Sequence, residues 1–298
     1  MLYDIRLTMK FAYAGQAGGG RHAIRVLPQT LGHHQRLIAG HVESDPDPRE
    51  RAERIDFFGN AVTECAFDAI PDDLSYKAHA RVERHAPVID AEASTAMTSL
   101  PADLHAVRTL DGRSPAHYLN ASALVLPHAG VASYSRNAAT GQPTVYEAAN
   151  ALNAALHADM RYDAKATEVD TPLAEAFEAR HGVCQDFSHI MIAGLRHLGI
   201  PAAYVSGYLR TIPPQGKPRL EGADAMHAWV AAWCGSRTGW VEFDPTNDII
   251  AGADHIVVGY GRDYTDVAPV RGVIRTAGAQ TATQAVDVLP IDTSQDRP

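Results

Sequence analysis

The apolar residues change period partway along this chain, and that change limits the folds it can reach. Up to about residue 85 they alternate. Tyr3-Asp4-Ile5-Arg6-Leu7-Thr8-Met9 and Tyr76-Lys77-Ala78-His79-Ala80-Arg81-Val82 each put apolar side chains mainly on one side of an extended backbone, the mark of a half-buried strand. Gly59-Asn60 between apolar runs reads as a hairpin turn. From Thr144 the spacing turns helical, and Tyr146, Ala149, Leu152, Leu156 and Met160 predict a helix over about 145–160. A second helix is expected from Thr171-Pro172, with Thr as the cap and Pro in the first turn, stopping before Gly182. A third opens at Cys184, buries Phe187, Ile190, Met191, Leu195 and Leu198, and ends at Gly199-Ile200-Pro201. Strands follow at about 202–210, 225–233 and 239–244, with Pro213-Pro214-Gln215-Gly216-Lys217-Pro218 as a loop between the first two.

The expected architecture is therefore α+β, with helices packed on an antiparallel sheet and a sandwich-like β module in front. We divide the 298 residues into an N-terminal β domain at 1–85, a connector with short helices at 86–140 and a second domain at 141–298. Within the connector, Pro115-Ala116-His117-Tyr118-Leu119 starts a short helix and Pro127-His128-Ala129-Gly130 reads as a loop. Ala285-Val286-Asp287-Val288-Leu289 is a candidate last strand, and Gly18-Gly19-Gly20 reads as a flexible loop without the frame of a phosphate cradle. Packing, walling a cleft and partner binding are all open roles for the β domain.

Composition narrows the function. Hydrophobic residues make up 46% and charged residues 20%, as in ordinary globular proteins. A net charge of −9 argues against DNA or RNA as a partner. The first ten residues lack the basic-then-apolar pattern of a signal peptide, and no apolar run approaches the roughly 20 residues of a membrane span. A cytoplasmic protein without a membrane partner is the expectation. Three cysteines, Cys65, Cys184 and Cys234, do not make a disulfide framework. Cys65 lies in a strand-like run and Cys234 begins a Gly-Ser connection, so both read as structural.

Cys184 is different. It follows Gly182-Val183 and begins a helix, where unpaired N–H groups favour negative charge. His227 lies on an alternating strand, sharing a face with Trp229, and Asp244 ends the next strand. If those two strands run antiparallel through Cys234-Gly235-Ser236-Arg237, the carboxylate comes within reach of the imidazole. Cys as nucleophile, His as base and Asp to orient the ring is the trio required for thiol attack on a carbonyl. Gln185, Tyr208 and Trp229 are candidates to line the cleft. The Cys184 backbone N–H is a natural donor to the acyl oxyanion, and Asp186 reads as a first-turn acid that stabilises its helix. Among fifteen histidines, His33-His34, His181 and His189 fall into no metal-ligand frame, so no metal or other cofactor is expected.

The segment Arg180-His181-Gly182-Val183-Cys184-Gln185-Asp186-Phe187-Ser188-His189 resembles the nucleophile segment of the transglutaminase-like superfamily. Tyr204-Val205-Ser206-Gly207-Tyr208, His227-Ala228-Trp229-Val230 and Gly239-Trp240-Val241-Glu242-Phe243-Asp244-Pro245-Thr246-Asn247 resemble its later blocks in order. Gly261-Arg262-Asp263-Tyr264-Thr265-Asp266-Val267 and Arg271-Gly272-Val273 are similar to the closing segment of its bacterial branch, which carries an N-terminal β domain and the cysteine-protease name. The resemblance implies a papain-like core with Cys184, His227 and Asp244 as triad. Met226 departs from it, since relatives commonly carry a small polar residue before the histidine. Amide hydrolysis of a peptide or protein through a thioester is the leading expectation. Acyl transfer to an amine is the alternative, and a noncatalytic binding module is the third.

Overall fold

The computed structural model describes residues 1–13, 17–70, 73–212, 222, 224–275 and 280–291. The alternating region forms β1 (Leu2–Tyr13), β2 (Ala17–Ile24), β3 (Gln35–Asp45), β4 (Glu50–Ile55), β5 (Ala61–Ile70) and β6 (Asp73–Arg84). A helical stretch follows, with α1 (Leu100–Ala106), a 3-10 turn (Pro115–Tyr118), α2 (Ala129–Ala138), α3 (Val145–Asp159), the short β7 (Arg161–Tyr162), α4 (Leu173–Ala179), β8 (His181–Gly182) and α5 (Cys184–His197). The chain ends in β9 (Ala202–Leu209), β10 (Ala225–Trp233), β11 (Trp240–Asp244), β12 (Ile249–Ile250), β13 (His255–Gly261), α6 (Tyr264–Val267), β14 (Val270–Arg275) and β15 (Gln280–Ile291).

Alternation works as expected. Tyr3, Ile5 and Leu7 of β1 and Leu74, Tyr76, Ala78 and Val82 of β6 point into one core, while Arg6, Lys77 and Arg81 face out. Two four-stranded sheets enclose that core, ordered β15-β1-β6-β3 and β14-β2-β5-β4. The sandwich therefore includes two C-terminal strands. Twelve residues of β15 pair with β1, from Leu2↔Ile291 to Tyr13↔Gln280, and β14 pairs with β2. This differs from a second domain continuous over 141–298: the alternating Val286 and Val288 bury in the sandwich core. The glycine run at 18–20 is likewise strand, paired on one side with β5 and on the other with β14.

The second layer is built on an antiparallel sheet ordered β12-β11-β10-β9-β13. α5 packs on β9 and β10, flanked by α2, α3 and α4. Phe187, Ile190, Met191 and Leu195 bury there against Leu152 and Leu156 of α3 and Val230 and Phe243 of the sheet. Residues 185–195 are all buried, so α5 is a central helix rather than one with a single apolar stripe. α2 belongs to this layer too. His128, expected in a loop, caps it by accepting from the Val131 N–H at 3.3 Å. The helix after Thr171 starts one residue later than expected: Pro172 occupies the cap position and the Thr171 hydroxyl accepts from the Glu168 N–H instead. The loop expected at 213–218 lies outside the described residues. No helix among the described residues is long and apolar enough to cross a membrane.

Candidate active site

Two halves of this second layer build the site. The first is the start of α5. Asp186, third in the helix, turns its carboxylate back to accept from the Val183 N–H at 2.8 Å and from the Thr167 hydroxyl at 2.6 Å. That is the carboxylate half of a capping box, with the Asp186 N–H returning to the Val183 backbone carbonyl at 2.9 Å, and it gives Asp186 a structural task. A side chain at Gly182 would strike the Asp186 carboxylate, with 2.5 Å between its Cβ and Oδ2. Cys184 is thus held as the first residue of α5, half-buried. As first residue its own N–H has no acceptor within the helix. The Gln185 amide donates to the Val169 carbonyl at 2.8 Å and pins the loop before α4.

The second half is the β10–β11 ladder. Its register, Val230↔Phe243 through Trp233↔Trp240, brings the end of β11 beside the start of β10. His227 Nε2 then lies 2.8 Å from Asp244 Oδ2, with 9% of His227 and none of Asp244 exposed. The other face of the imidazole's hydrogen bonding goes to the Cys184 side chain. With Nε2 donating to the carboxylate, Nδ1 is the nitrogen left for sulfur. Burial opposes charge on this ring, yet the Cys184 sulfur and the Asp244 hydrogen bond outweigh it and push His227 up to about 10. Burial alone would also raise the Asp244 carboxyl; hydrogen bonds from His227, His255 and Asn247 hold it far below the ordinary carboxylate range instead.

Three expected cleft residues thus have other tasks. Besides Gln185, Tyr208 is fully buried in the sandwich core and its hydroxyl donates to the Val26 carbonyl at 2.6 Å. Trp229 is fully buried behind His227. Large aromatics on a sheet flanked on both faces fill cores first. Met226 packs against the sandwich core, and Cys65 and Cys234 are buried, as structural thiols are.

Three site residues were not read from the sequence. Asn247 donates its amide to Asp244 Oδ2 at 2.7 Å, and His255 Nε2 reaches the same oxygen at 3.1 Å. Tyr162, 55% exposed, pairs with Gly182 through β7 and β8; burial and the neighbouring Cys184 charge raise its phenol. Asn247 had a signal, the Asp-Pro-Thr-Asn turn. His255 had none.

His227, Asp244 and His255 bring three potential metal-ligating atoms within 4.8 Å of one another. The protons argue for hydrogen bonding. His255 Nδ1 accepts from the Gly252 N–H, so its Nε2 carries a proton toward Asp244 and has no lone pair for an ion. The donors and acceptors match without a metal.

Residues 132–245 match the family model described as the transglutaminase-like superfamily, and residues 3–83 match the bacterial transglutaminase-like N-terminal region. An uncharacterized protein of Mycobacterium tuberculosis is 33% identical over 271 residues, covering 87% of this chain and 83% of that protein. The chain belongs to the transglutaminase-like superfamily. An uncharacterized protein of Mycobacterium leprae is 31% identical over 285 residues, covering 93% and 95% of the two chains. The crystal structure of a "putative cysteine protease" from Cytophaga hutchinsonii superposes with a TM-score of 0.77, covering 99% of this chain and 92% of that one. At 21% identity this last likeness is one of fold. The match to the superfamily core begins inside α2, which moves the start of the second layer into the stretch expected as connector.

Proposed function

We propose that this transglutaminase-like protein is a thiol-dependent enzyme that cleaves amide bonds in peptides or proteins through Cys184, His227 and Asp244. One observation carries the reading: an imidazole tied to a buried carboxylate by one nitrogen, with a helix-terminal thiol at the other. The sulfur adds to the amide carbonyl carbon, and the Cys184 N–H donates to the oxyanion that forms. His227, protonated, gives its Nδ1 proton to the leaving nitrogen as the C–N bond breaks, leaving a thioester. Water then attacks the thioester while Nδ1 takes its proton, and the acid leaves with the thiol restored.

Transfer to an amine shares every step up to the thioester. Mixing the protein with a peptide library, with and without excess amine, separates the two; amine incorporation without hydrolysis would make it a transferase. Cys184→Ala is expected to abolish turnover and iodoacetamide labelling at that position while the circular dichroism spectrum stays unchanged. Full turnover in Cys184→Ala rejects the nucleophile.

A further inference from the structure

Behind the imidazole runs a set of buried polar contacts that the proposed reaction does not use. Trp229 lies two residues after His227 on β10, its ring 6.0 Å from the imidazole with the planes 28° apart. The same indole meets the His255 ring edge-on at 5.2 Å. Its Nε1–H donates to Glu242 Oε2 at 2.9 Å, and the Tyr260 hydroxyl donates to Glu242 Oε1 at 2.6 Å. The charge partner of Glu242 comes from the sandwich. Arg84, last residue of β6, reaches Glu242 Oε2 at 3.7 Å with 3% of its side chain exposed. Arg84 Nε also donates to the Gly252 carbonyl, on the residue whose N–H meets His255. Even the strand beneath is fitted to the indole: a Cβ at Gly207, opposite His227, would run into the Trp229 ring.

A hydrogen bond to Asp244 fixes one nitrogen of His227 but lets the ring swing about the N–H···O line. A flat indole against its face removes that swing, and the indole is located in turn by its one donor. A buried ion pair is poor value for stability compared with apolar filling, so its presence at this joint asks for another reason. We propose that Arg84 and Glu242 are positioning residues for the triad: through the Trp229 indole, the sandwich sets the plane of the His227 ring toward the Cys184 sulfur. This deepens the triad reading and rests on it. The titratable groups facing the ring are Cys184 from α5, Asp244 from β11 and His255, first residue of β13; Glu242 and Arg84 stand behind the indole.

The test compares full-length Arg84→Met, Trp229→Phe and the double variant with the unaltered chain. Iodoacetamide alkylation at Cys184 is followed across pH, and kcat and KM are measured on a cleaved peptide. Each single variant is expected to alkylate about tenfold more slowly at pH 6 and to lose about tenfold in kcat with KM within about twofold, because a small misplacement of a reacting group costs rate rather than binding. The double variant is expected to be no worse than the poorer single, since both act along one route. A folded Arg84→Met with an unchanged alkylation profile, or additive losses in the double, overturns the proposal. If Arg84→Met does not fold, Trp229→Phe decides alone, and an unchanged profile there overturns it. Alkylation needs no substrate, so a reactive Cys184 without turnover of any amide counts against the hydrolase reading and leaves the positioning test in force.

Discussion

Asp244 is the most heavily bonded side chain of the site. It accepts from two imidazoles and the Asn247 amide, and its other oxygen takes the Thr246 and Asn247 backbone N–H groups. Asp244→Asn keeps the shape but puts an amide where His227 must donate, so the ring loses its tautomer and its charge partner. A fall in kcat/KM of about a thousandfold is expected, in the range such changes produce in triads. The pH profile gives an independent check. His227 is raised to about 10 in the folded chain against about 6.5 unfolded. Its stabilising contribution is therefore complete below about pH 6.5 and is lost as pH rises through about 10. Activity that needs its proton should fall on the same alkaline limb, and Asp244→Asn should move that limb to lower pH. An alkaline limb that does not move separates the limb from His227. That Cys184, His227 and Asp244 come together was legible because each has a chemical type and a parity along its element that mean something locally. His255 was not, because only the path of the chain after β12 brings it to Asp244.

At the scale of elements, β13 is an edge strand with an unusual cover. Gln35 accepts from the Val257 N–H at 2.8 Å and donates to the Val257 carbonyl at 2.7 Å. Asn60 does the same for Tyr260, at 2.9 Å on both sides. Two side-chain amides thus stand in for a missing neighbour strand and close the edge against other chains. Asn60→Leu strands a buried N–H and C=O, and a loss of at least about 2 kcal/mol is expected in urea unfolding. Arg36→Ala, which breaks an exposed pair with Glu83, should change stability by no more than about 0.5 kcal/mol. Equal losses would mean that the amides contribute nothing special. Helices α3 and α5 and strands β9 to β11 were readable because apolar period is a local property. The glycine run in β2 and His128 at α2 were misread for the opposite reason. Gly and Pro signal turns on average, whereas long-range pairing with β5 and β14 decides the first case and packing on α5 the second.

The whole molecule has the transglutaminase-like layer inserted into the sandwich, between β6 and β14. The joint is not a thin one: Tyr208, Ile256 and Val258 of the inserted sheet lie in the same buried cluster as the sandwich strands. Thermal or urea unfolding should therefore show one transition, with tryptophan fluorescence and far-ultraviolet dichroism coincident. Deleting the residues after 275 removes the partner of β1 along its whole length and should abolish that transition. Two separate transitions would mean two independent units. An unbroken unit over 141–298 was expected because strand alternation says that a strand exists and is silent on which sheet receives it, and β14 and β15 go to the sandwich.

The pairing of β1 with β15 also dictates an order of events during synthesis. Residue 2 must wait for residue 291, so β1 is made before every other strand described and is among the last to complete its pairing. Until then β1 and β2 each offer an unpaired edge to any passing strand. Newly made chains should accordingly lean on chaperones that shield such edges, and stalled translation late in the message should yield aggregates rather than a folded half.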